Sequence, residues 1–195
     1  MVKETDTREK LIACATALFR KGGYGPTSVE EICAEAGVSK GAFFHYFDSK
    51  EELALAALEQ WDLMAARMMA EAPFASEENP VRKVLGCVEF YAALFANPKV
   101  AKSCLAGVAA QEASETNAAL RKAANACFVH NQERFKGLLD AASKAAGKKM
   151  DTASLSAMFM ATLQGSLLLA RASKEDAVVT ESLRHFRAYL EGLLA

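Results

Sequence analysis

SVEEICAEAGVSKGAFFHYF, residues 28–47, is the stretch whose reading decides the fold. Ser28 is followed three residues later by Glu31, the spacing of a capping box that opens a helix. Val29, Ile32, Cys33 and Ala36 then recur at three and four, which gives that helix a single apolar face. Gly37 supplies the stop, and Ser39 can cap a second, very short helix in which Phe43 and Phe47 sit one turn apart. Val38, Phe43 and Phe47 are expected to point inward, with small Ala34 or Ala36 where the two helices must cross closely. Two short helices around Gly-Val-Ser are the pattern of a helix-turn-helix. The outer face of the second helix carries Lys40, Gly41, Phe44 and His45. A helix start that is small and cationic can enter a major groove, with its positive end near phosphates. Gly41 and Ala42 have no side-chain hydrogen bonds to give. Base reading would therefore lean on Lys40, on thymine methyl contacts and on DNA shape.

Outward from this segment the chain reads as helices throughout. Upstream, Asp6 with Glu9 makes a cap-like start to a helix whose inner face is Leu11, Ile12, Ala15, Leu18 and Phe19 and which stops at Gly22 and Gly23. Downstream, Ser49 and Glu52 repeat the capping box for a helix through Leu53, Ala57, Trp61, Met64 and Met68 towards Pro73. Asn79-Pro80 and Asn97-Pro98 each place a capping side chain before a proline, and each predicts a helix start. Longer helices follow over about 117–146, 151–172 and 174–194. The count is about nine helices with no sheet, an all-α chain.

Composition sets limits on function. The chain has 195 residues, 52% hydrophobic and 24% charged, long enough to bury a core as one large domain or two small ones. Its net charge is −1, and the first 50 residues hold seven Lys or Arg against seven Asp or Glu, so any positive surface for a polyanion must be local. The densest apolar run, within 165–170, is far shorter than the ~20 residues of a spanning helix. The polar start has no apolar signal-peptide core. A cytoplasmic protein without membrane contact is the expectation. Five scattered cysteines without CxxC spacing argue for free thiols, neither a disulfide framework nor a zinc site. His130 and His185 lack partners at ligand spacing except Glu181, so no metal is expected. There is no GxSxG, Walker loop or supported carboxylate pair, which argues against an enzyme, and no cofactor is expected.

The segments TREKLIACATALF at 7–19 and KGGYGPTSVEEICAEAGVSKGAFFHYFDSKEEL at 21–53 together resemble the DNA-binding domain of the TetR family of transcriptional regulators. The resemblance implies a helix-turn-helix domain over 5–65, with the motif itself at 28–47, and a ligand-binding and dimerisation domain over 66–195. It implies a homodimeric repressor on a palindromic double-stranded operator, with half-sites about one turn (~34–36 Å) apart, released when a small effector spoils that spacing. By the same resemblance Thr27 and Ser28 match positions that hold phosphates. Ser39, Lys40, Gly41 and Ala42 match the leading edge of the recognition helix. His45 and Tyr46 would face backbone or bases, and Lys50 a phosphate. Phe44 departs from the family's usual phosphate-bonding tyrosine, so that hydroxyl is lost unless Tyr46 supplies it.

The second half is less specific. Trp61, Phe90, Tyr91, Phe95, Cys104, Phe128, Phe135 and Phe159 are candidates for an effector cavity, with Asn131, Gln132 and Gln164 as polar anchors. Most of such a set packs as core, and a minority lines a cavity. KSCLAGVAAQ at 102–111, continued by Glu112, resembles a branch of the family that answers electrophiles and oxidants, in which the cysteine matching Cys104 can be the reactive thiol. Counted from a helix start at Asn97, however, Cys104 falls beyond the first turn, where the dipole has faded, and a packed thiol is the default. GSLLLARAS at 165–173 resembles the end of the family's penultimate helix. Small Ala161, Gly165 and Ala172 would let a partner helix approach, so that the last two helices form the dimer interface. Two rivals accompany the repressor reading. One is a regulator switched by modification of Cys104. The other is a small-molecule-binding helical dimer without specific operator affinity.

Overall fold

The computed structural model describes residues 4–113 and 115–195. Nine α-helices and no strand occur among the described residues. They are α1 (Glu4–Gly22), α2 (Val29–Ala36), α3 (Lys40–Tyr46), α4 (Lys50–Glu71), α5 (Pro80–Ala96), α6 (Leu105–Ala113), α7 (Ala118–Ala146), α8 (Thr152–Ser173) and α9 (Ala177–Leu194), with a 3-10 turn at Pro73–Ser76. The side chain of Asp6, expected to cap α1, lies outside the described residues, and helical backbone already begins at Glu4.

The chain divides into two compact units. The first takes in the described residues up to Leu63 together with Cys104–Cys127, and the second Met64–Ser103 with Phe128–Ala195. A sequence boundary at 65/66 assigns α6 to the second half, whereas its contacts belong with the helix-turn-helix. In the first unit Leu11, Ile12, Ala15 and Phe19 of α1 are buried with Ile32, Ala36, Phe43, Phe47, Leu53 and Leu58. Each fully buried Leu, Ile or Phe stabilises by roughly 1.5–3 kcal/mol relative to exposure. That stripe fixes α2 and α3 on α1. In the second unit α5 packs on α9 and on the 3-10 turn, and α8 packs on α9. Its centre is an aromatic cluster. Phe159 stacks on Phe135 at 4.1 Å and meets Tyr91 at 5.6 Å and Phe186 at 5.5 Å.

Two expectations need correction. Asn79-Pro80 starts a helix, its Oδ1 accepting from the Val81 and Arg82 amides, but Asn97-Pro98 does not. There Asn97 Oδ1 accepts from Lys99 N, its carbonyl accepts from Val100 N, and the chain turns. An Asn-Pro pair suits a type I turn as well as a helix start. The ninth helix begins at Ala177, not Lys174, because Lys174 adopts φ +64° and terminates α8. Separately, α8 is 22 residues long and holds an 18-residue window of mean hydropathy 1.4, so it could cross a membrane by length and composition alone, a test that the core helix of a soluble protein also passes. Its Thr, Ser and Gln residues interrupt the apolar runs, so the helix expected over 151–172 contains no unbroken run of spanning length. Less than half of its apolar window, 44%, is buried.

Candidate nucleic-acid interface

Local caps build the helix-turn-helix. Ser28 Oγ accepts from Glu31 N at 3.2 Å while Glu31 Oε2 accepts from Ser28 N at 2.7 Å, a complete capping box. The backbone hydrogen bond at Ser28 holds the Glu31 carboxyl below its ordinary range. At the other end of α2, Gly37 (φ +64°) and Val38 close the helix with bonds from Gly37 N to Ala34 O and Val38 N to Cys33 O, the Schellman arrangement. Ser39 Oγ accepts from Ala42 N at 3.1 Å and starts α3. Phe43 and Phe47 are fully buried, Val38 half-buried, and Arg8 of α1 lies over the Phe47 ring at 5.2 Å.

What this leaves on the outside of α3 is Lys40, Gly41, Phe44 and His45. Gly41 faces open space, the nearest atom to an added Cβ being Ser39 Oγ at 3.8 Å. Phe44 is 51% exposed, an aromatic ring displayed where a groove would be. His45 is exposed and its ring meets half-buried Tyr46 edge-on at 4.9 Å, while Ala42 is half-buried. Lys40 forms an ion pair with Glu30 of α2, whose hydrogen bond and charge raise the ammonium pKa and depress the carboxyl.

Three residues expected at phosphates are otherwise engaged. Thr27 is buried and its hydroxyl donates to Gly23 O at 2.7 Å. The Ser28 hydroxyl donates to Glu31 Oε2 at 2.9 Å while accepting its amide. Lys50 Nζ donates to the carbonyls of Tyr24 (2.9 Å), Gly25 (3.2 Å) and Thr27 (2.9 Å) and lies 4.4 Å from the Tyr24 ring centroid. Its three N–H donors are committed to the α1–α2 loop, so in this structure Lys50 organises that loop from the start of α4. Sequence reading missed a partner on the same loop. Glu112 of α6 accepts the Gly25 amide at 2.7 Å.

The expected effector residues separate into two kinds. Tyr91, Phe95, Phe135 and Phe159 are buried in the second unit, three of them in the aromatic cluster together with Phe186, which sequence reading left out of the set. Phe128, Asn131 and Gln164 are half-buried, and Gln164 Nε2 approaches Met160 Sδ at 3.8 Å. A cleft of about 610 Å³ in the second unit, lined by Phe74, Leu85, Phe90, Arg82 and Arg187 among others, takes in Phe90 alone of the expected set.

In the first unit the guanidinium of Arg20 lies over the Trp61 ring at 4.7 Å. Burial lowers its pKa, and Cys104 acts on it in the opposite sense. Because α6 starts at Leu105, and Cys104 O accepts from Val108 N at 3.0 Å, Cys104 is the residue that caps α6. This corrects the placement of the thiol beyond a first helical turn. Lys102 is no partner for it, being nearly buried and bonded to Asn97 O, Val100 O and Asp176. Among the described residues no group of three or more His, Cys, Asp or Glu could hold a metal.

Comparison with known proteins agrees with this geometry. Residues 11–57 match the family model of bacterial regulatory proteins of the tetR family, and residues 80–185 that of the LmrA/YxaF-like transcriptional regulator C-terminal domain. An HTH-type transcriptional regulator from the lacX 3′ region of Lactococcus lactis subsp. lactis is 28% identical over 177 residues, covering 91% of this chain and 89% of that relative. A TetR transcriptional regulator from Chloroflexus aurantiacus J-10-FL superposes with TM-score 0.86 at 27% identity, over 98% of this chain and 97% of that one. The reduced form of Escherichia coli NemR superposes with TM-score 0.84 at 23% identity, over 97% of each chain, a likeness of fold.

Proposed function

The chain belongs to the TetR family of bacterial regulatory proteins, and from that premise we propose that it is a homodimeric repressor of a palindromic operator, relieved by a small apolar or electrophilic effector. It is a DNA-binding transcriptional regulator and not an enzyme. The observation that carries the proposal is α3 itself. A seven-residue helix is pinned by buried Phe43 and Phe47 and displays Lys40, Gly41 and Phe44 to solvent. Gly41 lets the helix backbone approach a groove floor, Phe44 can meet a thymine methyl or a sugar, and Lys40 can reach a base edge once it leaves Glu30. Ser39, Ala42, His45 and Tyr46 frame that edge. Thr27, Ser28 and Lys50 serve it indirectly by ordering the approach to α2.

We assign residues 5–65 to DNA binding and 66–195 to effector binding and dimerisation, with Cys104–Cys127 folded into the DNA-binding unit. The outer face of α8 supports dimerisation through the last two helices. Met158, Leu168 and Leu169 are 45–59% exposed beside exposed Ala161, Gly165 and Ala172, and α9 adds Tyr189 at 49%. Such a stripe wants a partner surface. Half-buried Phe128, Asn131 and Gln164 are the members of the expected effector set best placed to meet a ligand. A protein acting on an operator works in the cytoplasm, without membrane contact.

The position of Cys104 favours a second reading of the signal. A half-buried thiol at the start of α6, in the charge field of the Arg20 guanidinium, offers a nucleophile to an electrophilic effector. It would add to the β-carbon of an α,β-unsaturated carbonyl, forming a C–S bond while the α-carbon takes up the thiol proton. Footprinting on the DNA flanking the gene tests the main proposal, with protection of two half-sites about one helical turn apart as the expected result. Uniform coating without half-sites would leave a ligand-binding dimer lacking operator specificity. Release by an alkylator that persists in Cys104→Ser would exclude the second reading.

A further inference from the structure

The loop between α1 and α2 contains Gly23, Tyr24, Gly25 and Pro26, too few side chains to order itself, yet it leads directly into Ser28 and α2. It is held from outside by opposite charges on opposite backbone groups. The Lys50 ammonium gathers three of its carbonyls, and the Glu112 carboxylate accepts the Gly25 amide at 2.7 Å. The carboxylate lies so close that a Cβ on Gly23, itself at φ +103°, would fall upon it. The chain just beyond α6 makes a second tie to the same region, Asn117 Nδ2 donating to Glu51 Oε2 on the first turn of α4. Since α6 is capped by Cys104, one short helix carries a thiol at its start and the loop's anchor about 12 Å further on.

We propose that Glu112 is a positioning residue for DNA recognition. It fixes the α1–α2 loop, and through it the entry to α2 and the pose of α3, by holding the Gly25 amide. The proposal deepens the operator-binding reading and rests on it. Displacement of α6 pulls on Gly25 before it disturbs any group on the DNA-facing surface. The interaction is a charge-assisted bond from a carboxylate to a backbone N–H, and an amide oxygen of the same reach can replace it in part.

The test uses full-length protein with Glu112→Ala and Glu112→Gln, read by anisotropy on the DNA flanking the gene and on a random duplex of equal length. Amide exchange at Gly25 is followed by NMR, and thermal melting monitors the fold. The expected result is a loss of about tenfold in operator affinity for Glu112→Ala and much less for Glu112→Gln, with random-duplex binding and melting nearly unchanged. Exchange at Gly25 should quicken by a similar factor in Glu112→Ala. Wild-type operator affinity with unchanged Gly25 exchange would overturn the proposal. So would parallel loss of binding and melting temperature in both variants, which marks a structural residue. If the wild type itself does not prefer the flanking DNA, the operator reading fails, and Gly25 exchange alone decides: faster exchange in Glu112→Ala upholds the anchor and unchanged exchange removes it.

Discussion

Replacing Gly37 by alanine tests the turn on which the recognition helix depends. Gly37 sits at φ +64°, ψ +38°, in the left-handed region, and closes α2 through the bonds to Ala34 O and Cys33 O. A methyl group there meets nothing closer than Lys10 Nζ at 3.9 Å, so the cost is conformational and not steric. The left-handed backbone costs an L-residue roughly 1–2 kcal/mol. Alanine also stiffens the unfolded chain, which returns about 0.4–1 kcal/mol. The net loss is about 1 kcal/mol, a fall in melting temperature of roughly 2–4 °C for a chain of this size. Asparagine, which tolerates this conformation, should lose less. Urea unfolding of wild type, Gly37→Ala and Gly37→Asn gives the measurement, with the slope expected to stay constant while the midpoint moves. Gly37→Ala as stable as wild type would show that residue 37 is not left-handed. A loss above about 3 kcal/mol would show a neighbour where the structure has open space, and either result refutes the described turn.

Further outcomes follow from individual side chains. Lys40→Ala should weaken operator binding more than random-duplex binding while leaving the slope of log affinity against log salt nearly unchanged, and equal loss on both DNAs would remove its base-reading role. Glu30→Gln should tighten binding to both, since Lys40 no longer has to leave an ion pair. The Glu30 carboxyl is depressed by the Lys40 hydrogen bond, so the pair is present at neutral pH and disappears only as pH falls through that lowered value; carboxyl NMR titrating at or above the ordinary value would contradict it. Lys50→Met should cost about 1 kcal/mol in urea unfolding by freeing three carbonyls, whereas an unchanged midpoint with a salt slope lower by about 0.9 would restore Lys50 to a phosphate. Alkylation followed by mass spectrometry should find Cys104 modified before Cys14, Cys33 and Cys87, whose thiols burial pushes up, most strongly at Cys87. Cys87 reacting first would contradict its burial.

The helix-turn-helix was legible because its determinants are local. The Ser28–Glu31 box, the Gly37 stop, the Ser39 cap and the Phe43–Phe47 pair each join residues no more than five positions apart, and each is present in the structure. Asn97-Pro98 misled because the same dipeptide serves a turn and a helix start, and the choice was made by Val100 and Lys99 bonding back to Asn97. That single shift moved Cys104 from the body of a helix to its cap. Thr27 and Lys50 were assigned to phosphates from their place in a family pattern, while their hydrogen bonds run to Gly23 and to the loop carbonyls. Glu112 was out of reach for any local rule, since its partner Gly25 lies 87 residues away. The aromatic residues illustrate a further limit. Helical spacing places Tyr91, Phe135 and Phe159 inside, but only their ring-to-ring contacts show that they fill the core together.

The central claim is sequence-specific DNA binding by the face of α3, and competition anisotropy tests it most directly. A labelled duplex from the DNA flanking the gene is titrated with purified protein in excess unlabelled random duplex, over a range of salt. The account predicts tight binding that survives the competitor, at a stoichiometry of one dimer per palindrome, and that is lost selectively in Lys40→Ala. Binding that the random duplex displaces as readily as the flanking DNA itself, and that collapses with salt alike on both, would contradict it.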